Sequence, residues 1–476
     1  MSTTPQVADA NDTIDEAELG ARERRAIVEW IEKNVGVRVT KVDRQRRWRP
    51  VWRVQAERDG VPVPLLVKGV RSWDALPYSL EHEMNLMQLL EAHGIPSPHV
   101  YGMIEFPKGF VMDWIQGGRD PALTGESIEK ASTMSPERWA ASLKYMEVLA
   151  KMHKLPPEQI EAAGNIRPVG ARDVALSHVE RFYRMCEEAK IVDPFMDFGM
   201  VWLRRNVPRH RTRCTFVTGD CGQFLNEGEE ITAVLDVETG HLGDNLHDLA
   251  CYRGRHPVEN MGDLPALFRH YAKAMGEELD LPVIVYHTVV FMTVGYSTPI
   301  LALAKLTPGG DFEECLLQIA YIGRRRVEAM AEFMGVELDG IELPEAHVTP
   351  WEDLALNKLL FEIRRLPTSE TFAEWQRNTI AAIPKFLLSQ AHYGRWAESE
   401  DLREVGELLG RRFANMVEAD EALRQFVLNA GPDYDIPLVK LFHRRLLRLC
   451  LVLAGPNASP EHLLFSKADP ILNMER

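Results

Sequence analysis

Cysteine is sparse and unpaired in this 476-residue chain: its six copies, Cys186, Cys214, Cys221, Cys251, Cys315 and Cys450, form no Cys-x-x-Cys pair. Such spacing argues against a disulfide framework or a thiolate zinc site and fits reduced thiols in a cytoplasmic protein. Positive charge is short as well, with 55 Lys and Arg against 70 Asp and Glu, a formal net charge of −15. That balance argues against nonspecific nucleic-acid binding. An uninterrupted apolar run of membrane-spanning length is also missing. The nearest, residues 281–306, is broken by His287, Gly295, Ser297 and Pro299, and reads as a buried pair of core helices. Residues 1–20 have neither the apolar core of a signal peptide nor the basic character of a transit peptide, and read as a disordered lead-in. What remains, 45% hydrophobic and 26% charged residues, is the composition of a soluble globular protein with two or three domains.

Residues 23–35 have helical periodicity, and the pattern then turns to short strands: VRVTKVDRQ, WRVQAER and VPLLVKGV, with a tight turn at Asp59-Gly60. A helix enters after Pro77 and stops at Gly94, with Leu80, Met84, Met87 and Leu90 along one face. Two further strands, SPHVYGMIE and GFVMDWIQGG, complete a small α+β unit over 21–117. Helices dominate 118–335, among them the amphipathic 136–155, and one hairpin at 214–238 interrupts them. After a linker at 336–350, residues 351–476 read as helices without a catalytic constellation, an accessory domain for a protein partner or for self-association. A β-rich lobe followed by a helical one predicts a cleft between them, where ligands commonly bind.

Within the hairpin, CTFVTGD is a strand running into a turn, and ITAVLDVE is a strand that stops at Asp236 and Glu238. Asp220 and Asp236 therefore flank the hairpin and lie near each other in space. Two carboxylates that close repel unless a cation or a shared proton compensates. On spacing alone they read equally well as a turn cap and a solvated strand end.

Four motifs in order bear on that choice. LLVKGV carries Lys68, LEHEMNLMQLL carries Glu83, VTGDCGQFLN carries Asp220, and VLDVETGHLGDNLHDLA carries Asp236, Glu238, Asp244 and Asp248. Over residues 36–335 the chain resembles the aminoglycoside phosphotransferase and choline kinase family. The resemblance implies a bilobal, protein-kinase-like α+β fold with a β-rich N-lobe and a helical C-lobe, followed here by an all-α C-terminal domain. It also implies ATP and Mg²⁺ as cofactors and a small-molecule hydroxyl as phosphate acceptor. Lys68 would bind the α- and β-phosphates, and Glu83 would hold that lysine. Asp220 would be the catalytic base, Asp236 the carboxylate on Mg²⁺, and Glu238 a further metal or water ligand. Asp244 and Asp248 match structural acidic positions. Met112 to Ile115 form the hinge candidates, which offer backbone contacts only and leave ATP and GTP both open.

Three departures from the family pattern stand out. Thr218 replaces the usual His before Gly219-Asp220. The catalytic loop is two residues short, which puts Gln223 at the second metal-ligand position and leaves Asn226 as the second choice. The loop expected to cover the nucleotide, residues 43–54, has no glycine. Arg46, Arg47 and Arg49 could contact phosphate there instead, or form an exposed basic hairpin tip. These departures keep a second reading open, a pseudokinase that binds nucleotide without transferring phosphate or serves as a scaffold. The acceptor class is open among aminoglycosides, choline-like alcohols, sugar alcohols and hydroxyacyl-CoA thioesters.

Overall fold

The computed structural model of the chain describes residues 16–45, 49–70, 76–117, 134–256, 259–305, 312–367, 371–455 and 463–474. The expected lead-in falls outside them as far as residue 15, and its last residues already belong to helix α1 (Glu16–Val35). The chain divides into two compact units, one built on residues up to 72 together with 80–116, the other on 73–79 and 117–476.

Strands β1 (Arg38–Gln45), β2 (Val51–Arg58), β3 (Val61–Gly69), β4 (Val100–Ile104) and β5 (Gly109–Asp113) make the sheet of the first unit, with helix α2 (Leu80–Ala92) inserted between β3 and β4. The order is β1-β2-β3-β5-β4 and every pairing is antiparallel. Asp59 and Gly60 both have positive φ, 53° and 81°, and Arg58 pairs with Val61. This is the two-residue turn that the Asp-Gly pair predicts, because its twist matches that of the flanking strands. Alternation decides the buried face of β2: Trp52, Val54 and Ala56 point inward while Arg53 and Gln55 are exposed. They meet Ile27, Ile31 and Val35, spaced four apart on α1, together with Leu65, Val67, Ile104 and Val111. Complete burial of a side chain of this size stabilises by about 1.5–3 kcal/mol.

The second unit is mostly helical: α3 (Pro136–His153), α4 (Pro157–Ala162), α5 (Gly170–Glu188), α6 (Pro194–Arg205), α7 (Leu246–Arg255), α8 (Leu264–Met275), α9 (Leu281–Ala304), α10 (Phe312–Met334), α11 (Pro350–Arg365), α12 (Thr371–Leu409), α13 (Met416–Asn429) and α14 (Asp435–Ala454). The apolar stretch at 281–306 is one helix, not the expected pair. The helix runs through Gly295 and Pro299, and Ser297 donates to the Val294 carbonyl (2.6 Å). α9 is long and apolar enough to cross a membrane, but 83% of its most apolar stretch is buried inside the protein.

Residues 351–476 are tied into this unit by two of three consecutive arginines buried on α10. Arg324 donates to the Phe465 carbonyl (3.0 Å), Arg325 to Ser466 Oγ (2.8 Å), and Arg326 to the Phe195 carbonyl (2.6 Å) while lying 3.5 Å over the Phe195 ring. Ala320, Cys450 and Leu464 close a small apolar cluster beside them. The segment read as an accessory domain thus packs as part of the helical unit.

Four short strands complete it: β6 (Thr215–Val217), β7 (Phe224–Glu227), β8 (Glu230–Val234) and β9 (His241–Gly243). The hairpin is narrower than expected. β7 pairs only with β8, and β6 pairs with β9 instead. Asp220 therefore lies in the loop from β6 to β7, and Asp236 in the loop from β8 to β9.

Candidate active site

In the first unit, Lys68 near the end of β3 forms an ion pair with Glu83 Oε1, and the two side chains are only 11% and 1% exposed. Glu83 stands on the buried face of α2, among Leu80, Leu86, Met87 and Leu90. Its second oxygen accepts from Arg49 Nη2 at 3.0 Å, while Arg49 Nε donates to the Gly69 carbonyl at 2.8 Å. Two cations therefore share one buried carboxylate. Arg49, which is buried, clamps Glu83 and is no part of an exposed hairpin tip. Arg46 and Arg47 lie outside the described residues. Met112 is buried on β5 opposite Leu66 of β3, and Ile115 follows two residues after that strand, half-buried.

In the second unit, the β6–β7 loop is held from behind by Asp248 of α7. Its carboxylate accepts from Thr218 N (2.9 Å), Thr218 Oγ1 (2.9 Å) and Gly219 N (3.2 Å). Nε2 of His153, at the end of α3, completes the set at 3.0 Å, and His153 Nδ1 meets the Tyr271 hydroxyl at 2.7 Å. An imidazole thus does stand at this clamp, but it comes from another helix, while Thr218 fills the loop position. Burial works against the Asp248 charge, yet the His153 hydrogen bond and the Thr218 N–H hold its carboxyl below the ordinary range. Asp244 is likewise held down against burial by a two-point Arg211 contact (2.8 and 2.7 Å), and it accepts from Leu246 N at 3.0 Å. Gly219 has φ +76°, and a Cβ there would lie 2.6 Å from the Thr239 carbonyl oxygen. Only glycine fits.

Asp220 projects from this loop with 32% of its side chain still exposed. Its Oδ2 accepts from Gln223 Nε2 at 2.6 Å, and its Oδ1 accepts from Arg255 Nε at 3.2 Å and from Arg255 Nη2. Arg255, the last residue of α7, is held in turn by Glu259. Burial pushes the Asp220 carboxyl above its ordinary value, Arg255 pulls it down, and the nearby negative charge of Asp236 adds to the rise. The net direction is upward.

Asp236 has φ +53°. A side chain in that left-handed region is strained by about 1–3 kcal/mol, and such strain gathers at functional positions. One oxygen of Asp236 and one of Glu238 lie within 4.8 Å of each other. The Leu235 N–H donates to the Gln223 carbonyl at 2.9 Å, which ties the two acid-bearing loops together. Asn226, by contrast, turns to Arg138: its Oδ1 accepts from Nη1 at 2.6 Å, under an Arg138 guanidinium 3.7 Å above the Phe224 ring. Gln223 is thus the amide beside Asp220. Asp236, Glu238 and Gln223 offer oxygen donors only, the set that suits a hard cation such as Mg²⁺.

Sequence reasoning did not find Arg255, Glu259, Arg138, Arg49 as a Glu83 partner, or His153 as the support of the loop. All but Glu259, which holds Arg255 from four residues away, act from a distant part of the chain.

Comparison with known proteins bears on the class. Residues 45–278 match the family described as the phosphotransferase enzyme family. No curated protein matches the chain. Among solved structures, it is similar to a candidate aminoglycoside phosphotransferase of Ralstonia eutropha (17% identity, 66% of this chain and 98% of that one, TM-score 0.49). It is also similar to the choline kinase of Streptococcus pneumoniae (12% identity, 65% and 99%, TM-score 0.44). A third is the ethanolamine kinase of Plasmodium vivax (10% identity, 60% and 82%, TM-score 0.44).

Proposed function

We propose that this protein is an ATP- and Mg²⁺-dependent phosphotransferase acting on a hydroxyl group of a small molecule. The observation that carries the reading is the setting of Asp220. It is a partly exposed carboxylate with a raised pKa, fixed by Gln223 and Arg255, on a loop whose backbone is pinned by a buried Asp248–His153 pair. A carboxylate so placed can accept the hydrogen of an acceptor hydroxyl and aim its oxygen. Asp236 and Gln223, with Glu238, are the residues assigned to Mg²⁺, which when bound would neutralise phosphate charge. Lys68, held by Glu83, is assigned to the α- and β-phosphates. Met112 to Ile115 are assigned to backbone contacts with the base. The six free thiols suit a reducing compartment, the cytoplasm.

The test is an ADP-release assay across aminoglycosides, choline-like alcohols, sugar alcohols and hydroxyacyl-CoA thioesters, run with Asp220→Ala beside the wild type. Transfer to one class, lost in the variant while nucleotide binding persists, is the expected result. A variant that turns over normally refutes the role of Asp220.

The Arg255 bridge favours a second reading, a nucleotide-binding pseudokinase, because it occupies the acid that would meet the acceptor. Nucleotide binding without transfer to any acceptor would favour that reading.

A further inference from the structure

Two side chains of α10 each hold the C-terminal tail, residues 466–472, with one arm and the end of α7 with another. Arg325 donates from Nη2 to Ser466 Oγ at 2.8 Å and from Nη1 to the Gly254 carbonyl at 2.7 Å. One oxygen of Glu332 accepts from Ile471 N at 2.6 Å and Leu472 N at 3.0 Å, and the other accepts from Arg253 Nη2. The tail also meets α7 directly. Arg253 Nε donates to the Asp469 carbonyl at 3.1 Å, and His256 Nε2 lies 3.2 Å from Asp469 Oδ2. Ile471, fully buried, anchors the tail.

Residues 253, 254 and 256 are thus tied down, and residue 255 between them is the arginine on Asp220. α7 holds the β6–β7 loop at two points. Asp248 near its start accepts from Thr218 N and Gly219 N, and Arg255 at its end reaches Asp220. A shift of that end moves the point from which Arg255 holds the carboxylate, and a misplacement of about 1 Å can slow a reaction about 10²-fold. Packing alone does not explain Arg325. It is buried, it has no ion-pair partner among the described residues, and burial pushes its pKa down to about 10. An apolar side chain of similar volume would fill the space without that penalty. What the guanidinium adds is positive charge on the last carbonyls of a helix, where it is favoured.

We propose that Arg325 and Glu332 are positioning residues for Asp220: with the tail they fix the end of α7, and so the place from which Arg255 holds that carboxylate. The proposal rests on the reading of Asp220 as the group that meets the acceptor hydroxyl. Both residues and the tail lie beyond residue 278, where the family match ends.

Hydrogen–deuterium exchange on the full chain tests the coupling with no acceptor present. The amides to watch are those of Thr218 and Gly219, bonded to Asp248, and of Gly222, bonded to the Tyr145 hydroxyl. Arg325→Met and, as a milder second variant, Glu332→Gln should each speed their exchange about tenfold while α13 exchanges as in the wild type. Arg325→Lys, which keeps a cation for one of the two acceptors, should recover most of the protection. In the transfer assay kcat should fall about tenfold in Arg325→Met and recover in Arg325→Lys. Faster exchange confined to the tail would overturn the proposal, because the two residues would then hold nothing else. An even rise across the helical unit would overturn it too, and so would an unchanged kcat in a variant whose loop has loosened. A wild type that transfers to no acceptor would refute the reading of Asp220 instead, and exchange would still decide whether α10 and the tail hold the loop.

Discussion

Asp220 is the residue to which the proposed chemistry is assigned, and Arg255 is the cation paired with it. With Arg255→Ala the carboxylate loses its guanidinium while remaining crowded, so its pKa should rise further above the ordinary carboxylate value. A base with a raised pKa is protonated over more of the acidic range. The acidic limb of the kcat/KM profile should therefore move to higher pH, with kcat reduced by about 10²-fold or less and Arg255→Lys recovering part of both. A pH–rate profile identical to wild type would exclude this coupling. Glu83 presents a second contrast. Glu83→Ala leaves Lys68 and Arg49 buried without their shared anion and should cost about 3–5 kcal/mol in urea unfolding. Lys68→Met should cost clearly less, because Arg49 still pairs with Glu83, while abolishing nucleotide binding. Equal losses of stability would mean that Arg49 contributes nothing to the pair. At this scale the sequence was legible where a position is written locally: short motifs picked out Lys68 and Glu83, which the structure pairs, and Asp220 and Asp236, which it puts on two loops tied together at Gln223 and Leu235. It was silent on Arg255 and Arg49 because ion-pair partners 35 and 34 residues away leave no periodic trace. Glu83 also breaks the pattern from which α2 was read, since an apolar period does not reveal a carboxylate on the buried face.

Elements behaved differently. The Asp-Gly turn, the short strands on either side of it and the helical periodicity of 23–35 were legible, because backbone preference and burial agree there. The hairpin around the two acids was read too wide. β6 is only three residues long and takes its hydrogen bonds from β9, a strand too short to carry a pattern of its own. α9 was read as two helices because His287, Gly295, Ser297 and Pro299 look like breaks, yet Ser297 donates to a carbonyl of its own helix and the helix runs on through Pro299. α10 shows the same limit, with three consecutive arginines that a sequence assigns to solvent and the fold buries against α6, α7 and the C-terminal segment. Its dependence on that segment can be measured. A chain ending before α11 would strip the partners of Arg324 and Arg325 and uncover Ala320, so its helical unit should melt well below that of the full chain and expose apolar surface to a hydrophobic dye. A truncated chain with an unchanged melting temperature would show that residues 351–476 form an independent domain after all.

For the molecule as a whole, buried titratable groups predict how stability depends on pH. His443, buried on α14 and flanked by Arg324 and Lys467, has its pKa pushed down from 6.5 to about 4, with desolvation the larger cause. His247 is displaced in the same direction by burial and by its histidine neighbours. A histidine with a depressed folded value binds more protons when unfolded, so stability falls as pH drops below the unfolded value near 6.5 and levels off below the folded one. For His443 alone the loss between pH 6.5 and 4 is about 3 kcal/mol. Asp244 and Asp248, both held down, add a further loss as pH falls below the unfolded carboxylate value near 4. In urea unfolding the wild type should therefore lose more stability between pH 7 and 4 than His443→Gln does. Equal losses in the two would mean that His443 stays solvated. The central claim is that the chain binds nucleotide through a metal held by Asp236. The measurement that tests it most directly is calorimetric titration with ATP, with and without Mg²⁺, of the wild type and of Asp236→Asn. Tight binding that requires the metal and disappears in the variant is the predicted result. Binding that is indifferent to both, or absent under every condition, would contradict it.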